Sequence, residues 1–229
     1  MLKNFIFAAI CFLAAGAADA QTAPAKPSAT PTPAVSPELK KANDRTAARV
    51  KDPAPEPYDK ADVKAMSGLC VSLDTESGLI VMEMFPETAP ETVRNFLNLA
   101  AAGWLDNTTF NRVVPNFVIQ GGSLATSGKW DGPTSRRANR TIPDEPNSIL
   151  HEKGIVSMAR TDEPNSATTD FFILLMKADN LDGKFAAFGR VTKGMDVAET
   201  INKMPVTGDK PEKPVHIKKA TVSACGPIS

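Results

Sequence analysis

Arg112 and Gln120 flank a Pro115-Asn116-Phe117 triplet inside the run Phe110 to Gly122, FNRVVPNFVIQGG. Pro115 presets the φ of a turn and Asn116 tolerates a left-handed backbone, so the triplet reads as a three-residue hairpin loop. In that register Val114 faces Val118 and Arg112 faces Gln120. A two-residue loop would set Arg112 opposite Ile119, on the other face from Gln120. A guanidinium stays charged and presents several N–H donors in a rigid fork. Gln120 can steady that fork, while Phe117, Val118, Phe172 and Leu181 can form an apolar slot beside it. A fixed donor at the lip of such a slot stabilises charge or a lone pair developing in a bound group, with no covalent step. Taken alone, these residue types carry little weight, because a strand Arg is usually solvated and a strand Phe usually core.

Other chemistries find less support. The two histidines, His151 and His216, read as lone surface residues, and no Cys/His spacing suggests zinc. No Gly-rich loop suggests a nucleotide, and no serine motif suggests a triad. Asp144 and Glu145, after Pro143, read as a solvated loop. No metal and no cofactor is expected. Lys plus Arg total 26, as do Asp plus Glu, so there is no basic excess to draw nucleic acid or an anionic membrane surface.

Short apolar segments must position these residues. Cys70–Leu73 and Leu79–Met84 read as strands joined by a turn ending at Gly78. A helix follows: Thr88 can cap it, Pro90 suits its first turn, and Val93, Phe96, Leu97 and Ala100 recur at helical spacing before Gly103. Further strands are expected at 110–114, 118–120, 155–159, 171–175, 186–191 and 215–224. A second helix runs from about Met195 to Lys203, after Gly194. Many short strands with Gly- and Pro-rich turns predict a mainly β chain closed into a barrel, with the two helices plugging its open ends.

The N-terminal part has a different composition. Lys3, the apolar run Phe5–Ala15 and Ala18-Asp19-Ala20 have the order of an export signal over residues 1–20, and the apolar run is too short to span a bilayer. No stable membrane insertion is expected after cleavage, and the location expected is periplasmic or secreted. Residues 21–67, rich in Pro and Ala, read as a disordered linker, and 68–229 as the folded domain. Removing the signal leaves Cys70 and Cys225, which are either paired or two separate buried thiols. An oxidising compartment favours pairing, provided the terminal strands lie side by side.

The run from Phe110 to Gly122 resembles the cyclophilin signature. Ser157-Met158-Ala159 with Asn165–Phe172 (NSATTDFF) is similar to a second family segment. Leu181–Lys184 leading to Phe188-Gly189-Arg190-Val191 and Gly194-Met195 is similar to a third, and Thr92–Leu99 (TVRNFLNL) resembles the family's first helix. The resemblance covers nearly all of 70–225. It implies a closed eight-stranded antiparallel barrel capped by two α-helices, with the first and last strands adjacent, as a Cys70–Cys225 disulfide requires. It further implies a peptidyl-prolyl cis-trans isomerase acting on proline-containing polypeptides; the signal makes these exported proteins, and nothing in the sequence calls for more than a monomer. Carried over by position, the catalytic residues would be Arg112 and Gln120. The substrate-binding residues would be Phe117, Val118, Ala159, Arg160, Asp170, Phe172, Asn180, Leu181 and Phe185.

Rotation about an X-Pro bond requires no nucleophile. The obstacle is amide resonance, a barrier of roughly 18–20 kcal/mol, which a donor aimed at the prolyl amide and a dry pocket for its ring both lower. The chain departs from the family at Asn111 (often His), Val118 (usually Met), Asp170 (usually Gln, and here close enough in sequence pattern to pair with Arg112), Asn180 (usually aromatic) and Phe185 (commonly His). These changes predict tuned activity and weak binding of the cyclic-peptide inhibitor of the family. They also support an alternative, a chaperone-like relative that binds proline peptides with weak or no isomerase activity.

Overall fold

In the computed structural model, which describes residues 55–226, eight antiparallel strands close on one another. In chain order the strands are β1 (Leu69–Thr75), β2 (Gly78–Met84), β3 (Thr109–Val114), β4 (Val118–Gly121), β5 (Ile155–Met158), β6 (Phe171–Leu174), β7 (Ala187–Lys193), β8 (Val206–Thr207), β9 (Lys210–Pro211) and β10 (Val215–Ala224). The barrel order is β1-β10-β3-β4-β6-β5-β7-β2, and β8 and β9 form a separate hairpin. Closure leaves no unpaired sheet edge to template association. The helices are α1 (Val63–Met66), α2 (Pro90–Ala101), α3 (Gly132–Ala138) and α4 (Met195–Asn202). Among the described residues, no helix is long and apolar enough to cross a membrane. The expected signal, 1–20, and the linker up to residue 54 lie outside the described residues.

The core follows from alternation. Val71, Leu73, Ile80, Met82, Val156 and Ile173 are fully buried and point into the barrel. Helix α2 seals it with Val93, Phe96 and Leu97, all fully buried. The Phe96 ring stacks edge-on against Phe171 at 5.1 Å and tilts against Phe188 at 4.9 Å, a geometry that aromatic quadrupoles favour. Helix α4 adds Ala198 and Ile201 to the same core. It begins at Gly194, which sits at φ +86°, where a Cβ would lie 2.0 Å from the Leu79 carbonyl oxygen. Only glycine fits there.

Three expectations about helix α2 and its surroundings differ from the structure. Thr88 does not cap it; its hydroxyl donates to Phe85 O. The cap comes from far along the chain, where the Glu145 carboxylate accepts from Glu91 N at 2.9 Å and Thr92 N at 2.7 Å, placing negative charge at the positive helix end. Asp144 and Glu145 are therefore bound groups rather than a solvated loop, Asp144 also accepting from Asn165 N. The domain also starts earlier than residue 68. Glu56, about 10% exposed, accepts from Trp104 Nε1 at 2.8 Å, Arg137 Nε at 2.7 Å and Arg140 NH1 at 3.0 Å. Tyr58 N donates to Asn98 Oδ1, and Met66 is fully buried. Residues 56–66 thus strap across α2 and α3. The neighbouring Pro53, Pro55 and Pro57 conceal this in the sequence, because the contacts are made with segments far along the chain.

Candidate active site

The β3–β4 hairpin has the expected register: Arg112 pairs with Gln120 and Val114 with Val118. Asn116 adopts φ +59°, and Phe117 N closes the turn onto Val114 O at 3.0 Å. Simple alternation would put Phe110 and Arg112 on one face. A β-bulge at Asn111 breaks it, so Phe110 enters the core while the Arg112 side chain stands outside, 43% exposed. Gly121 faces Phe110 across the strands; a Cβ there would lie 2.9 Å from Thr109 O.

Cross-strand pairing carries this row around the barrel. Arg112 lies beside Gln120, Gln120 beside Phe172, and Phe172 beside Ser157. Above the row sits a second apolar cluster, separate from the core, in which Val118 and Phe172 are joined by partly buried Phe117, Ala159, Leu181 and Phe185. Arg112, Gln120, Phe117, Val118, Ala159, Arg160, Phe172, Leu181 and Phe185 together line one open groove of about 170 Å³. Phe172 and Phe185 meet edge-on at 5.9 Å. The Arg160 guanidinium covers Phe185 at 5.1 Å, an attractive cation–π arrangement, and is held by Thr161 O and Lys184 O.

Arg112 is anchored rather than loose. Its NH1 donates to Gln120 Oε1 at 3.3 Å, and its Nε and NH2 contact Asp209 Oδ2 at 3.1 and 3.0 Å. Asp209 comes from the turn of the β8–β9 hairpin, whose backbone is fixed to β3 by Val113 N donating to Asp209 O at 2.8 Å. A guanidinium has five N–H donors, so both terminal nitrogens keep N–H groups for a bound carbonyl or amide.

Two expected groove residues stand elsewhere. Asp170 does not line the groove and does not pair with Arg112; Asp209 takes that place. Asp170 is partly buried, and burial pushes its carboxyl above the ordinary 3.8 against hydrogen bonds from Thr169 and Gln120. Asn180 is exposed in a 3₁₀ turn, Asp179–Leu181, with its carbonyl accepting from Lys184 Nζ at 2.9 Å. Phe185, not Asn180, supplies the aromatic of that wall. Asp209 gave no sequence signal, since the contact joins residues 97 apart. His151, expected on the surface, is fully buried, whereas His216 is exposed.

Residues 70–222 match the family described as cyclophilin type peptidyl-prolyl cis-trans isomerase/CLD. Peptidyl-prolyl cis-trans isomerase ppi1 of Schizosaccharomyces pombe is 40% identical over 153 residues, 66% of this chain and 96% of the relative. Peptidyl-prolyl cis-trans isomerase B of Escherichia coli is 38% identical over 168 residues, 67% of this chain and 99% of the relative. Among solved structures, a Cryptosporidium parvum cyclophilin type peptidyl-prolyl cis-trans isomerase, crystallised in the presence of the dipeptide Ala-Pro, is 29% identical. It superposes with a TM-score of 0.60 over 68% of this chain and 99% of that one.

Proposed function

The chain belongs to the cyclophilin-type peptidyl-prolyl cis-trans isomerase family, and from that premise we propose that Arg112 catalyses X-Pro rotation in exported proteins. The observation that carries the proposal is an anchored, half-exposed guanidinium at the lip of an aromatic-walled groove. The prolyl ring enters between Phe117, Val118, Phe172 and Leu181, which exclude the water that favours the planar, charge-separated amide. The free N–H groups of Arg112 then bond to the prolyl carbonyl or nitrogen as the bond twists, an interaction stronger in the twisted state than in either planar isomer. Gln120 and Asp209 hold the fork in place, so little ordering is needed when the peptide arrives. No bond breaks and no proton moves.

The Cys70–Cys225 disulfide supports the exported reading, since such bonds persist in oxidising compartments. With it goes the proposed organisation: signal at 1–20, a Pro/Ala-rich tether, and the isomerase domain in a periplasmic or extracellular setting. Magnetisation exchange on an Ala-Pro peptide tests the activity. Catalytic amounts of the protein should accelerate cis/trans exchange far above the uncatalysed rate. Peptide binding with unaccelerated exchange would instead select the chaperone-like alternative, which the exposed position of Asn180 favours.

A further inference from the structure

His151 is fully buried, and nothing in the rotation described above uses it. Its Nε2 lies 2.9 Å from Ser157 Oγ, and its Nδ1 lies 3.0 Å from Asp182 Oδ1. The same Asp182 oxygen accepts the His151 backbone N–H at 2.7 Å. The order Ser, His, Asp is that of a hydrolytic triad, but Ser157 is itself fully buried in β5 and can meet no acyl group. A different role follows from what the two ends of the relay are attached to. Ser157 pairs with Phe172 in the row that begins at Arg112. Asp182 adjoins Leu181, and residues 178–185 carry both Leu181 and Phe185, the wall of the groove facing Phe172.

Among the described residues, the hydrogen bonds tying 178–185 to distant parts of the chain run almost entirely to His151. Ala178 N donates to His151 O at 2.8 Å, and Asp182 receives the two His151 donors. The remaining one is Arg160 NH2 to Lys184 O, longer at 3.3 Å. The carboxylate of Asp182 can only accept, so the imidazole presents an N–H on Nδ1 to it and Nε2 to the Ser157 hydroxyl, which can donate or accept. Those bonds pull the Asp182 carboxyl below its ordinary 3.8, the backbone N–H foremost.

We propose that His151 is a positioning residue of the isomerase: as an imidazole bridging Ser157 and Asp182, it sets the groove wall of Leu181 and Phe185 at its distance from Phe172. The inference rests on the groove being the isomerase site. Because the relay shapes the slot for the prolyl ring and does not touch the twisting bond, its loss acts on peptide affinity.

The test uses the full chain and an Ala-Pro peptide, with kcat and KM measured separately. Asp182 is a quarter exposed, so its variants avoid opening the buried site. Asp182→Ala is expected to raise KM by about tenfold, the equivalent of one charge-assisted hydrogen bond, with kcat within about twofold. Asp182→Asn, whose amide oxygen still accepts, recovers most of that loss. Nitrogen chemical shifts of the imidazole should show a protonated Nδ1, and a redistribution in Asp182→Ala. A folded Asp182→Ala with unchanged KM, or with lowered thermal stability alone, overturns the proposal. An Arg112→Ala variant of undiminished kcat would instead remove the reading of the groove on which it rests.

Discussion

Arg112 and Asp170 both contact Gln120 but differ in how their charges are met. The guanidinium has a carboxylate partner at 3.0 Å and open solvent on one side, so it keeps its charge at modest cost. Asp170 is partly buried and, among the described residues, has no cation paired to it, and burial raises its carboxyl above the usual value. The sign is fixed by linkage. A carboxyl whose folded value exceeds its unfolded one costs stability above the folded value, and that cost disappears as pH falls below the unfolded value near 3.8. Asp170→Asn should therefore raise the thermal midpoint at pH 7 and give progressively less as pH approaches 3. An equal gain at both pH values would mean that the benefit is packing, not charge.

At the scale of elements, the hairpin carrying Arg112 was open to inspection in the sequence because its determinants are local. Pro115 and Asn116 set the loop, loop length set the register, and Arg112 met Gln120 as a result. The helices α2 and α4 were equally legible from apolar spacing, Pro90 and Gly194. What stayed hidden depends on contacts between distant segments. Glu145 caps α2 from 53 residues away, Asp209 reaches Arg112 across 97, and the buried His151 meets Asp182 across 31. Residues 56–66 read as linker from their place beside Pro53, Pro55 and Pro57, whereas Glu56, Tyr58 and the buried Met66 tie them to the domain, with Glu56 their anchor to α3. That anchor has a measurable consequence. Burial lowers the Arg137 pKa while Glu56 opposes the shift, so Glu56→Ala strands a cation that is only 5% exposed. Denaturant melts should show a loss of roughly 3–5 kcal/mol, largely relieved in Glu56→Ala/Arg137→Met. A loss below about 1 kcal/mol would show that the strap is not held by this pair.

Over the whole molecule, the Cys70–Cys225 bridge joins β1 to the residue following β10, across 155 residues, and so closes nearly the entire domain into one loop. Constraining so long a loop in the unfolded chain stabilises the fold by roughly 2–5 kcal/mol. Reduction should lower the thermal midpoint yet leave isomerase activity of the folded protein intact, because the groove rows run over β3, β4, β6 and β5 and involve neither cysteine. Parallel loss of activity and disulfide in protein that remains folded would contradict this separation. The barrel thus serves as a frame, and the proposed chemistry lies on its outer surface. The most direct test compares Arg112→Ala with the unaltered chain on one Ala-Pro peptide, measuring exchange rate and peptide affinity in the same sample. The account predicts a fall in kcat of about 10²–10³ with affinity changed by less than about fivefold, or ~1 kcal/mol. A variant that still turns the peptide over at the original kcat would contradict it.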